Sequence, residues 1–140
     1  MKVKPEDVAL DQLLIDKNNR FFLLCGNEDT FIDKIKELII NKLKKIDYLE
    51  IVKINESGDL QTALISDATS LFAKKKIFIL YNQKQIDLDF LKKIDLTDKA
   101  IIIIDKKIKN SSKIKTYIEN HSDHICITCY KLSRENKKRI

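Results

Sequence analysis

His121, His124, Cys126 and Cys129 fall within nine residues near the end of the chain, and neutral imidazole and thiolate are the ligands zinc prefers. Their spacing argues against one shared ion. The segment from Ile125 to Cys129 reads as a β-strand, whose side chains alternate, so two cysteines three apart point to opposite faces. The same placement speaks against thiol–disulfide exchange of the thioredoxin kind, because a reactive Cys-x-x-Cys draws its low thiol pKa from a helix N-terminus. Cys25, at the end of an earlier apolar run, reads as a small core residue.

The turn after that run, Leu24-Cys25-Gly26-Asn27-Glu28-Asp29-Thr30, stands where a nucleotide-binding α/β domain carries its phosphate loop. A phosphate cradle needs glycines that bring backbone N–H groups close to the anion, and a Lys that contacts the terminal phosphates. Here there is one glycine, no Lys-Ser/Thr pair, and two carboxylates that would repel phosphate. Ile101-Ile102-Ile103-Ile104-Asp105 imitates the apolar strand and acid that hold Mg²⁺ beside a nucleotide, but without a phosphate loop the expected role of Asp105 is to end the strand and cap the next turn. No nucleophile, base or cofactor site can be assembled from spacing, so the expectation is a protein without catalysis or cofactor of its own.

Two further features bear on binding rather than catalysis. Lys106-Lys107-Ile108-Lys109, with Lys113 and Lys115 beyond, falls at the carboxyl end of the expected sheet, where α/β folds place ligands. Lys106, Lys107 and Lys109 are therefore candidate DNA contacts, although no aromatic residues interleave to stack bases and a solvated face is the plainer reading. Ser70-Leu71-Phe72-Ala73 sets a bulky apolar pair at the end of an expected helix, just before Lys74-Lys75-Lys76. Such a pair on a charged surface is suited to fill a partner's pocket.

Five apolar runs position these residues: Phe21 to Cys25, Glu50 to Ile54, Ile77 to Tyr81, Ala100 to Asp105 and Ile125 to Cys129. Each is rich in Ile, Val, Phe or Leu with little polar alternation, as in strands buried on both faces of a parallel sheet. The segments between them carry helical periodicity. Phe31, Ile35, Leu38, Ile39, Leu43 and Ile46 recur at three and four, with lysines on the other face, and Asp29 or Asn27 is placed to cap that helix. Helices are also expected from Pro5 to about Asp16, Asp59 to Phe72, Asp87 to Ile94 and Ser111 to Asn120. The fold class is α/β, three-layer, with a five-stranded mostly parallel sheet.

Bulk properties agree with one such domain. The chain has 140 residues, two Gly, one Pro and 34% charged residues, with 27 Lys+Arg against 21 Asp+Glu for a net charge of +6. That composition describes an ordinary folded domain, not a linker or a disordered tail. The charge favours an anionic partner, though most of it is dispersed lysine. The start of the chain lacks a signal-peptide core and no apolar run is long enough to cross a bilayer, so a cytoplasmic protein away from membranes is expected. Three cysteines, an odd number, fit reduced thiols.

Taken in order, the pieces resemble one family, the delta subunit of the bacterial DNA polymerase III clamp loader. The resemblance runs through Lys4-Pro5-Glu6, Phe22-Leu23-Leu24-Cys25-Gly26-Asn27-Glu28 with Phe31-Ile32 behind it, Ser70-Leu71-Phe72-Ala73, Ala100 to Asp105 before a lysine-rich loop, and Ile125 to Cys129. It implies a P-loop NTPase-like domain of the clamp-loader type that has lost nucleotide binding. It also implies that Leu71 and Phe72 form a hydrophobic wedge that enters a pocket on the sliding clamp and helps open the ring. The partners it implies are the sliding clamp, the other clamp-loader subunits and, indirectly, primed DNA. Members of that family continue into a helical lid and a collar domain, and residues from about 131 to 140 fall where the lid would begin. The alternative kept beside this reading is a nucleic-acid-binding module of similar fold that uses the lysines from Lys106 onward.

Overall fold

The computed structural model describes residues 2–3, 20–45, 50–54, 75–81, 88–93, 99–106, 113–121 and 124–129. Within them the chain forms β1 (Lys2–Val3), β2 (Phe21–Gly26), α1 (Asp29–Lys44), β3 (Glu50–Ile54), β4 (Lys76–Tyr81), α2 (Leu88–Lys92), β5 (Lys99–Asp105), α3 (Lys113–Asn120) and β6 (His124–Cys129). The strands make one sheet in the order β1-β6-β2-β5-β4-β3, and every pairing is parallel. All five expected strands are present, and β1 adds a two-residue strand at one edge. Two residues carry no periodicity, so β1 has no signature in the sequence.

The central strands are apolar on both faces because both faces are covered. On one side Phe22, Leu24, Ile102, Ile104, Ile125 and Ile127 pack with Ile32, Ile35, Ile39 and Leu43 of α1. On the other, Phe21, Leu23, Ile101, Ile103 and Cys126 pack with Leu91 of α2 and with Ile114 and Ile118 of α3. Helix, sheet and helix are the three layers the apolar runs imply. Each buried Phe, Leu or Ile contributes about 1.5–3 kcal/mol by leaving water, so this continuous double core holds the sheet's register. A one-residue slip of β2 would exchange its two apolar faces.

The expected helices correspond to α1, α2 and α3 with shifted ends. α1 begins at Asp29, two residues before the first apolar position at Phe31, and its N-cap is Glu28, which makes no side-chain capping bond. The expectation of a cap by Asp29 or Asn27 is thus corrected. Glu28 takes the position because its amide donates to the Cys129 carbonyl at 3.1 Å, fixing it in extended backbone with φ −100° and ψ 90°. A tertiary contact, not a local cap, decides where the helix starts. The helices expected over Pro5 to Asp16 and Asp59 to Phe72 lie outside the described residues.

Candidate functional site

In an open parallel sheet the ligand crevice lies beyond the carboxyl ends of two neighbouring strands whose outgoing connections leave to opposite faces. Here those strands are β2 and β5, which are hydrogen-bonded neighbours. The chain leaves β2 toward α1 on one face, while β5 is followed by α3 on the other. The site therefore comprises the turn after Gly26, the start of α1, and Asp105-Lys106.

Two features close the side of this crevice toward β6, and a third bridges its mouth. Gly26 has φ +117°, a left-handed conformation that glycine adopts without steric cost. Its missing side chain also matters, since a Cβ there would run into the Cys129 carbonyl oxygen and lie 2.5 Å from the carbonyl carbon. The turn is pressed directly onto β6. Next, the Glu28 amide, at the place where a phosphate cradle aims its N–H groups, donates to Cys129. Third, Lys106 Nζ lies 3.1 Å from Asp29 Oδ1, so the one described lysine of the basic loop is ion-paired across the crevice to the first turn of α1. Both side chains are about half exposed or more, at 48% and 67%, and such a pair is worth little in free energy. It leaves Lys106 able to exchange partners.

Below this rim lies a row of polar side chains that the sequence does not announce. Asp105, Cys25 and Thr128 stand side by side on three adjacent strands, as successive register partners. All three point to the α3 face, and Lys115 of α3, only 4% exposed, acts electrostatically on the Cys25 thiol from above, as does Asp105 from the neighbouring strand. Cys25 Sγ is 3.3 Å from Thr128 Oγ1 and 3.8 Å from the Ile127 carbonyl oxygen. A hydrogen bond from the Cys126 thiol, ahead of the opposing effect of burial and assisted by Thr128 and the Lys115 ammonium, lowers the Cys25 pKa to about 6. The Cys126 pKa is raised, first by its interaction with Cys25 and then by burial. Cys129, on the other face, is pushed up to about 12 by desolvation, then by the charges of Cys25 and Glu28.

These positions sort the candidate residues. Lys106 is exposed at the carboxyl edge and paired with Asp29, whereas Lys107, Lys109, Leu71 and Phe72 lie outside the described residues. Lys115, read from sequence as part of a basic patch, is buried and drops out of any phosphate-facing surface. Its place on α3, three residues before the buried Ile118, was the available signal. Cys126 and Cys129 do occupy opposite faces, one in each core. His121 and His124 stack at 4.0 Å with their planes 13° apart. Parallel rings cannot aim their lone pairs at one ion, and among the described residues no three His, Cys, Asp or Glu side chains converge as a metal site requires. Cys25 is buried in the core, as its surroundings in sequence suggest, and its thiol also meets the Thr128 hydroxyl.

No family model matches the chain, and no curated protein does. Among solved structures, the fold is similar to that of the Bacillus subtilis DNA clamp loader delta protein (YqeN), with a TM-score of 0.65 over 96% of this chain and 14% sequence identity. At that identity the likeness is one of fold. The chain spans 45% of the length of that protein.

Proposed function

We propose that this chain is the clamp-contacting domain of a delta-type clamp-loader subunit, and that Leu71 and Phe72 are the wedge it inserts into the sliding clamp. The observation that carries the reading is the fold likeness to a clamp loader delta protein over nearly the whole chain. Ser70-Leu71-Phe72-Ala73, directly ahead of the lysine run that ends at Lys76, the first residue of β4, adds to it. Burial of two such side chains contributes about 1.5–3 kcal/mol each, enough to anchor a modest interface. The mechanism is a population shift: the wedge binds the sprung form of the clamp better than the closed form and so favours the open ring.

In this reading the domain acts without nucleotide hydrolysis of its own. The Glu28 amide is taken by Cys129, and the Asp29–Lys106 pair bridges the crevice mouth, which supports a crevice that is not organised around phosphate. Attachment to further loader subunits and to primed DNA would pass through domains of the kind that extend the Bacillus protein beyond the region matched here. A direct role for Lys106, Lys107 and Lys109 in touching DNA is a secondary part of the proposal, supported by the exposure of Lys106 at the carboxyl edge.

The test is binding to the sliding clamp of the same organism, measured by surface plasmon resonance for the wild type and for the Leu71→Ser/Phe72→Ser double variant. Loss of about tenfold or more in affinity is expected. Undiminished binding by the variant would remove the wedge from the account. Tight, salt-sensitive DNA binding without clamp affinity would favour the nucleic-acid-binding alternative.

A further inference from the structure

Positive charge is not spread evenly over the two ends of the sheet. In a parallel sheet every strand starts at the same edge, and the helices that return the chain end there. That amino edge lies opposite the crevice. Lys76 and Lys99 are the first residues of β4 and β5 and stand side by side in register, and Arg20 immediately precedes β2, the next strand across. Lys75 precedes Lys76. From one helix layer Lys42, Lys44 and Lys45 arrive at the end of α1, and from the other Lys92 and Lys93 arrive at the end of α2. Lys44, Lys45, Lys75, Lys92 and Lys93 are exposed, and the others are partly so.

The described acids at this edge are Glu50 and Glu119. Even with Asp47, Asp95, Asp98 and Asp123 of the segments that lead into β3, β5 and β6 set against it, the edge keeps an excess of positive charge. The carboxyl edge is mixed by contrast, with Asp29, Asp33 and Asp105 standing among Lys34, Lys106 and Lys113. Lysines in the last turn of a helix offset its dipole, which is reason enough for Lys42, Lys44 and Lys92. It does not account for Arg20, Lys75, Lys76 or Lys99, which stand at strand starts.

The apolar pair is tethered to this same edge. Phe72 stands four positions before Lys76, and an extended chain covers at most about 3.6 Å per residue, so the two Cα atoms lie within about 14 Å of each other. A nucleic acid offers phosphates to the cations but no pocket to Leu71 and Phe72, whereas a protein surface with an apolar pocket and an acidic rim answers both. We infer that the amino edge is an electrostatic docking surface for the partner that receives Leu71-Phe72, and that this partner carries acidic side chains around its pocket. The inference rests on the wedge reading given above and divides the work of binding. The edge cations act on encounter and the apolar pair on retention, because rim charges govern association and buried anchors govern dissociation.

The experiment measures association and dissociation rates with the sliding clamp of the same organism by surface plasmon resonance, from about 0.05 M to about 0.3 M salt, a range over which the screening length falls by about half or more. For the wild type the association rate is expected to fall about tenfold across that range, a readout that needs no variant. Lys45→Gln/Lys75→Gln should slow association by about threefold or more at the lowest salt, flatten its salt dependence and leave dissociation within about twofold. The control Lys34→Gln/Lys53→Gln removes the same charge away from the edge and should leave association nearly unchanged, and Lys45→Arg/Lys75→Arg should keep the wild-type rate. Circular dichroism establishes that each variant is folded. Equal slowing by edge and control variants, or association indifferent to salt, would overturn the inference, as would duplex DNA binding that depends on Lys45 and Lys75 while clamp association does not. Leu71→Ser/Phe72→Ser separates the two proposals. If that variant is weakened and the edge variant behaves as wild type, this inference alone falls; no clamp binding by the folded wild type removes both.

Discussion

Gly26 is the residue on which the crevice depends most directly. A side chain there must tolerate φ +117° and displace backbone atoms of Cys129, not a flexible side chain. Gly26→Ala is expected to destabilise the domain by about 2 kcal/mol or more, the cost of a left-handed alanine together with local overpacking, measured by urea unfolding. A change under about 0.5 kcal/mol, the level of an ordinary surface substitution, would mean the turn does not rest on β6. Cys25 leads to a second expectation, this one in pH. Its folded pKa, about 6, is below the 9.0 of the unconstrained thiol, so folding releases a proton between those values. The stabilisation from Cys25 is therefore complete above pH 9 and lost as the pH falls through 6. The stability difference between wild type and Cys25→Ser should grow as the pH rises from 6 to 9, followed by urea midpoints; a flat or falling difference contradicts an ionised Cys25. Sequence alone marked Gly26 and Cys25 but not their partners. Cys129 and Thr128 are more than a hundred residues away in the chain, and no local pattern reports a contact of that kind.

Among the elements, the strands were the most legible. Each expected strand matches the observed one to within a residue at either end; in the central strands burial on both faces writes a continuous apolar run with sharp polar limits, whereas edge strand β3 is buried only at Ile54. Helix α1 was clear in its apolar stripe and less so in its start, since Glu28 is placed by a bond to β6. The same helix is tied to the sheet by a contact no periodicity reveals. Lys36 Nζ donates to the Tyr81 hydroxyl of β4 at 3.1 Å, and its ammonium lies 5.8 Å from the centre of that ring. The Lys36 pKa is raised: burial acts to lower it, but the Tyr81 hydroxyl and the charges of Asp33 and Glu37 outweigh burial. Tyr81→Phe removes the hydrogen bond and keeps the ring, so a loss of about 0.5–1.5 kcal/mol is expected in urea unfolding. Lys36→Met should cost a similar amount, and the double variant less than the sum of the two. Full additivity would show that the two side chains act separately.

For the whole molecule, fold class and layer order were recoverable from the chain, and strand order was not. Five apolar runs separated by helical periods require an α/β sheet, yet the order β1-β6-β2-β5-β4-β3, which sets the crevice between β2 and β5, depends on which crossover skips which strand. The lysine-rich loop illustrates the same limit: sequence grouped Lys106 with Lys115, while the fold exposes the first and buries the second. In the described residues no helix is long and apolar enough to cross a membrane. The functional reading joins two independent strands of argument, a local motif at Leu71-Phe72 and a fold shared with a clamp loader delta protein at 14% identity. The most direct measurement of their union is the affinity for the sliding clamp of wild type against Leu71→Ser/Phe72→Ser, with circular dichroism to establish that both are folded. The account predicts measurable wild-type binding that falls by about tenfold or more in the variant; equal binding by both, or no binding by the folded wild type, would contradict it.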